Sequence, residues 1–518
     1  MGNNHGHGSK SGTATPNSVA SSNNGSRKSI TRTSSGGDIQ IQETPSPMQP
    51  VEKLAKILAE KSQKLEGVNG ITKDVFTRFL FPRYQVLGGK LYDHFLRHSK
   101  SKNSYMSQSA FKQQCEVYLG IMDDDKVRET LVKMWAVSNQ DTGGDIMTPD
   151  EMRCLLMCTY HISMDHYSEG PQMCLASNKT LKAVVDSCFH SKKQLSIQFV
   201  THWIELNIPR LLFPLHRYAV HCLATSWRTL EDCEHSLASG DSREKPQMTG
   251  DHCEIPPYSG IELATPVLEE ANPFPQAKPH PHLLTMSMSW LLAGALPPLY
   301  SRPQKAHSPS NSGVGLANMS FLAKLVCSIP SHWSILYDSD EMGLGSNRFL
   351  HHVMNYKGPT LILIRVQDGQ KFCIASPNEW RESHHYWGGE ECAVFQLLPK
   401  FQLLEKGPKM LYLNFSVRGY PHGLRVGSDP RAPIISIDGG FEKIEWQKIP
   451  YYLECIEVWG CGDQVSRERQ LEVKKWEKKE AEKQRVVKLN ASDWLDHPDR
   501  YLLQLAGRPE YHQNQNQS

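Results

Sequence analysis

The 518-residue sequence has no apolar run approaching the eighteen or so residues of a membrane span. Residues 1–50 hold no hydrophobic segment of the kind a secretory signal needs. Charge of neither sign dominates. Lys and Arg number 57 and Asp and Glu 55, a net of +2, which argues against a dedicated nucleic-acid binder. The 13 cysteines include no Cys-x-x-Cys pair and no Cys/His quartet of zinc-finger spacing. Scattered thiols in an odd count read as buried free cysteines in an intracellular, reducing compartment. Phosphate loop, nucleophile elbow and His-Glu-x-x-His are all missing. His351-His352 and His384-His385, the latter near Glu390, read as surface or packing residues. Cys373 and Cys392 fall on predicted strands, where thiols are inert packing. The expectation is a protein that is not an enzyme.

What is present divides the chain. Residues 1–50 are mostly Ser, Gly, Asn and Thr and predict a disordered tail. Near Val51 a helical period begins with Leu54, Ile57 and Leu58. It continues in Phe76, Phe79 and Leu80; in Leu91, Phe95 and Leu96; in Phe111, Cys115 and Tyr118; and in Val127, Leu131 and Trp135. Residues 51–237 therefore predict an all-helical domain. Residues 238–282, rich in Pro, Gly, Ser and Glu, read as a linker. The apolar run 283–296 predicts a helix, and 297–315 a Pro/Ser-rich loop. Beyond it the period changes. Thr360–Val366 reads as a buried strand and Lys371–Ser376 as its return, with Asp368-Gly369 as a type I′ turn needing positive φ at both residues. Residues 392–398, 410–415, 434–438 and 453–459 complete a mostly antiparallel β-domain over 283–462. A charged segment, 463–518, follows. Between Arg467 and Lys488 it has nine Lys or Arg and five Glu, and Val473, Trp476 and Val487 share one stripe of the helix it predicts. That stripe either packs on its own domain or meets a partner; both readings stay open.

The chain opens Met1-Gly2-Asn3-Asn4-His5-Gly6, and loss of Met1 exposes Gly2 to N-myristoylation. Lys10, Arg27, Lys28 and Arg32 precede the first acid, Asp38, a basic second signal of the kind one acyl chain needs to hold a membrane. Residues 139–150 fit the twelve-residue EF-hand frame. Asn139, Asp141, Asp145 and Asp150 are its candidate ligand side chains, Gly144 holds the sharp turn, and Ile146 takes the position that pairs with another loop. Asn139 is neutral, Gly143 has no side-chain oxygen, and Asp150 is a methylene shorter than the usual Glu. The expectation is an EF-hand shape without calcium, with 98–109 as a paired loop still further from a binding sequence.

Trp333-Ser334-Ile335-Leu336-Tyr337, Gly358-Pro359-Thr360-Leu361, Gly389-Glu390-Glu391-Cys392 and the closing Glu457-Val458-Trp459-Gly460 form an ordered set. Together they resemble the TLDc domain family over about 328–462. The resemblance implies a β-sandwich flanked by helices, with no known catalytic residues and no cofactor. The fold class expected is α+β and multidomain: an all-helical EF-hand-like amino-terminal domain, a TLDc β-sandwich and a carboxyl-terminal helix. The Met-Gly start, the degenerate loop and the charged extension are similar to family members associated with the mTOR kinase complex at lysosomes. That similarity implies a non-enzymatic adaptor whose partners are the vacuolar proton pump, the mTOR kinase complex and the lysosomal membrane surface, with no nucleic acid. It places the protein at the cytoplasmic face of the lysosomal membrane, attached through Gly2, and in the cytoplasm. The basic helix with Trp476 at the centre of its stripe is included in the partner surface because Trp is enriched at binding hot spots. The alternatives are a TLDc protein protecting against oxidation by its own chemistry, and a weak calcium sensor.

Overall fold

Four times in the first half of the chain an apolar residue is followed by Ser or Thr: Ile71-Thr72, Met106-Ser107, Met147-Thr148 and Leu195-Ser196. Each time the apolar residue joins a short β-bridge and the hydroxyl starts a helix. Thr72, Ser107 and Ser196 accept from the N–H groups of Val75, Ala110 and Phe199, and Thr148 accepts from that of Glu151. Every one of these contacts satisfies an orphan donor of a first turn. The computed structural model describes residues 49–99, 103–138, 144–164, 175–238, 282–301 and 333–485, with 502 and 505–506.

The helices so begun, and their partners, are α1 (Gln49–Glu66), α2 (Lys73–Leu80), α3 (Gln85–His98), α4 (Gln108–Leu119), α5 (Asp124–Trp135), α6 (Pro149–Met164), α7 (Leu175–Phe189) and α8 (Ile197–Asn207). A long α9 (Phe213–Ala238) packs against α1 and α6. Three short strands, β1 (Val137–Ser138), β2 (Asp145–Met147) and β3 (Leu195–Ser196), link the loops. Ile71 bridges Met106, while Ile146 pairs with Val137 and Ser196, and Met147 with Leu195. Consecutive helix–loop–helix units therefore join two by two, as paired EF-hands do. The 98–109 loop is not the partner of 139–150. It pairs with the loop ahead of α2, because each unit takes its neighbour in sequence.

A helix of almost unbroken burial follows, α10 (Met286–Ala295), with a short turn of helix, α11 (Pro298–Ser301). Next come β4 (Ser334–Asp338), α12 (Ser339–Met342), α13 (Ser346–Val353), β5 (Thr360–Val366), β6 (Lys371–Ser376), β7 (Ser383–Trp387), β8 (Ala393–Leu398), β9 (Gln402–Lys406), β10 (Leu411–Asn414), β11 (Gly423–Val426), β12 (Ile435–Ile437), β13 (Lys443–Trp446) and β14 (Ile449–Gly460). The last eleven strands form one antiparallel sheet, in the order β7-β10-β11-β12-β13-β14-β5-β6-β8-β9 with β4 also on β14. β14 serves both halves: residues 449–452 pair with β13, and the rest pairs with β5 and β4. The halves fold face to face as a sandwich.

Side chains alternate across the β5 half. Ile362, Ile364, Val366, Phe372, Ile374, Val394, Ile456 and Val458 fill the space between the halves. Leu361, Leu363, Cys373, Ala375, Phe395, Leu397 and Trp459 point the other way and share a core with the helices. Both faces of this half are therefore dry, which is why β5 reads as a continuous apolar run. The β5–β6 hairpin differs in detail from the type I′ expectation. Asp368 does not take positive φ; Gly369 alone does, at 82°, and its N–H donates to the Val366 carbonyl at 2.8 Å. It is the three-residue hairpin loop with a left-handed Gly.

Side-chain contacts tie α10 to both sides. Arg210 donates to the carbonyls of Ala293 and Leu296 at its carboxyl end, a cation on orphan carbonyls. Thr180 and Ser287 share a buried hydrogen bond of 3.0 Å. Ahead of α10, the N–H groups of Leu283 and Leu284 donate to the Glu457 carboxylate on β14.

Candidate functional site

Helix α14 (Gln464–Arg485) starts four residues past the last strand. The Asp463 carboxylate begins it by accepting from the Ser466 hydroxyl at 2.7 Å and the Ser466 N–H at 2.9 Å. Those two bonds hold the Asp463 carboxyl below its usual range, in the place a helix favours an anion.

One polar face seats the helix. Gln470 is fully buried, and its amide donates to the carbonyls of His352 and Met354 at 2.9 and 3.0 Å. Lys474 Nζ donates to the His352 carbonyl at 3.1 Å, and Glu477 accepts from the Asn355 amide at 3.1 Å. Gln470, Lys474 and Glu477 stand at i, i+4 and i+7, one side of a helix. The carbonyls they reach end α13, so α14 caps α13 with its side chains. The seat is crowded with cations. Burial lowers Lys474 to about 8, with Arg467 adding to it. His352 is lowered by burial and then by Lys474, His351 and Arg467.

The apolar side chains lie elsewhere on the helix. Val465 and Trp476 are separated by about three turns and are 47% and 64% exposed, with Val473 at 39%. The contact with its own domain is polar, and the apolar stripe is left to solvent. Reading the sequence found the stripe and missed the seat. The signal for the seat in the sequence is only the i, i+4, i+7 row of polar side chains, Gln470, Lys474 and Glu477. Val487 lies outside the described residues, as does Gly2.

Of the degenerate calcium loop, Asn139 and Asp141 fall outside the described residues. Asp145 sits on β2, where its carboxylate accepts from the Ser138 hydroxyl at 3.1 Å and faces Arg97 at 3.6 Å. Asp150 is exposed in the first turn of α6. A guanidinium and a hydroxyl already occupy the one described inner carboxylate.

The remaining groups give no catalytic arrangement among the described residues. The rings of His384 and His385 lie 3.9 Å apart and those of His351 and His352 4.9 Å apart. Burial raises the Cys373 thiol far above its ordinary value and Cys392 to about 12, which keeps both from ionising near neutral pH. No helix among the described residues is long and apolar enough to cross a membrane.

With the sandwich, its helical backing and α14 in place, comparison with known proteins is direct. The family model of the TLDc domain matches residues 311–462. The chain carries a TLDc domain over those residues. A chicken protein named MTOR-associated protein MEAK7 is 22% identical over 149 residues, covering 25% of this chain and 32% of that one. Its Xenopus laevis namesake matches to the same extent. A Neurospora crassa protein named Restriction of telomere capping protein 5 is 23% identical over 272 residues, 37% of this chain and 45% of that one. The chain thus spans about a third of the length of the chicken and frog relatives it matches.

Proposed function

We propose that this protein is a non-enzymatic adaptor that uses its TLDc domain and α14 to bind the vacuolar proton pump at the lysosomal surface, in mTOR-linked regulation, with Gly2 as its membrane attachment. The observation that carries the reading is Trp476: a large aromatic 64% exposed on a helix already seated by its other face. Buried at an interface, such a side chain is a hot-spot anchor. The names of the chicken and frog relatives support the link to mTOR, and the resemblance to lysosomal TLDc proteins supports the pump as partner. The oxidation-protective alternative has less support, since burial raises the described thiols that shift.

The test is binding of the full chain to the purified pump. The wild type binds. Trp476→Ala loses about 2 kcal/mol or more, roughly thirtyfold in affinity. A wild type that does not bind removes the pump as partner, and an unweakened Trp476→Ala removes α14 from the interface.

A further inference from the structure

We propose that His282, Asp338 and Glu457 form a divalent-cation site, suited to zinc, that clamps the segment ahead of α10 to the sandwich. Asp338 ends β4 and Glu457 lies beside it on β14, where the two are register partners. His282 approaches from the helical side, its ring edge-on to Trp459 at 5.5 Å. One donor atom from each of the three lies within 4.8 Å of the others. His282 Nδ1 stands 3.2 Å from Glu457 Oε1 and 3.6 Å from Asp338 Oδ2. Tetrahedral donors about 2.0–2.2 Å from zinc lie roughly 3.3–3.5 Å from one another, and both separations bracket that edge.

The chemistry fits as well. One imidazole and two carboxylates make a ligand set for zinc, with the fourth position left to water. The side chains of Asp338 and Glu457 are only 8% and 2% exposed, and two negative charges at one buried point are balanced by one divalent cation. Glu457 also accepts from the backbone N–H groups of Leu283 at 2.6 Å and Leu284 at 3.3 Å. Lys371, the near cation, spends its Nζ on the Leu283 carbonyl at 3.4 Å.

Outer partners orient the ligands, as metal sites require. The Trp459 indole donates to Glu457 Oε2 at 2.9 Å, and the Asp340 N–H donates to Asp338 Oδ1 at 2.9 Å, leaving Oδ2 turned toward His282. Cys455, near Asp338, is not counted as a ligand. Burial pushes its thiol to about 12, and the Ser339 hydroxyl donates to its sulfur.

The experiment strips the full chain with a chelator, titrates it with zinc chloride in competition calorimetry, and reads bound metal per chain and the melting temperature. One zinc per chain and a raised melting temperature are expected. His282→Asn keeps an amide N–H directed at Glu457 while removing the imidazole, and Asp338→Asn keeps an acceptor for Asp340. Each should weaken zinc by more than about tenfold while the chain still melts cooperatively. Should Asp338→Asn fail to fold, His282→Asn decides alone. Absence of zinc uptake by the wild type, or uptake undiminished in folded His282→Asn, overturns the proposal.

Discussion

The buried side-chain amide of Gln470 donates to the backbone carbonyl of His352 at 2.9 Å, so one helix ends where a second is pinned. Its other proton serves Met354. Gln470→Ala would take the side-chain donor from the Met354 carbonyl and leave that of His352 to Lys474 alone, a cost of about 1–3 kcal/mol in a half-buried seam. The strands do not depend on that seam. The expected result is faster hydrogen exchange over 464–485 with protection of β14 unchanged. Unchanged exchange in α14 would mean that Lys474 and Glu477 suffice to hold it.

Trp476→Ala should behave the other way. With 64% of the residue exposed, truncation removes little packing, and surface changes of this kind stay within about 0.5 kcal/mol. The melting temperature should match the wild type while binding falls. A loss of more than about 1 kcal/mol in stability would show that the stripe packs on its own domain.

Acid should weaken the helical half. Burial lowers His94 to about 4, with His98, Arg97 and Lys133 contributing, and burial also lowers His161, His216 and His221. The sign follows from linkage. The unfolded histidines bind protons near pH 6.5 and the folded ones only at lower pH, so this contribution is complete above about 6.5 and fades as pH falls toward 4. Allowing for solvent screening, His94 accounts for about 2 kcal/mol of that loss. Urea unfolding at pH 7 and pH 4.5 measures it. His94→Gln should narrow the gap between the two pH values; an identical gap would show that the folded ring still takes up its proton near pH 6.5.

Much of this was legible from local pattern. The 360–366 run is a strand because it is apolar throughout, and it is apolar throughout because Leu361 and Leu363 meet helices while Ile362 and Ile364 meet the other half-sheet. Which elements cover those faces was not legible. The Phe401 N–H reaches the Ala183 carbonyl at 3.0 Å and the Leu403 N–H reaches Asn207 at 3.1 Å, and neither contact leaves a periodic mark. The pairing of Met147 with Leu195 was missed because Leu195-Ser196 resembles a calcium loop in nothing but its apolar-then-hydroxyl pair. For the candidate site, the Trp476 stripe could be seen as amphipathic spacing. The Gln470 seat depends on carbonyls more than a hundred residues away.

Calcium should leave the helical region indifferent. Asp145 is engaged by Ser138 and Arg97, so binding would have to displace a cation, and the frame offers a neutral first residue and a short twelfth. Calorimetry on the full chain should give no heat below millimolar calcium, the range of weak extracellular modules. A micromolar dissociation constant that disappears in Asp145→Asn would refute this and restore the sensor reading.

Gly294 sets two ordinary rules against each other. It lies near the end of α10, where propensity alone favours Ala over Gly by about 0.8–1.0 kcal/mol. But a Cβ at this position would meet the Leu211 backbone Cα at 2.8 Å, and backbone cannot turn aside as a flexible side chain can. The approach is held by hydrogen bonds: the Arg210 N–H donates to the Gly294 carbonyl at 3.0 Å, and the Arg210 side chain caps the same helix end. Overpacking typically costs about 1–3 kcal/mol, more than propensity returns. Gly294→Ala should therefore lower the urea midpoint, and because α10 lies between the helical units and the sheet, both should lose stability together. A variant as stable as the wild type would show that α10 can shift against the 208–211 turn, and that the joint between the two halves is looser than its burial implies.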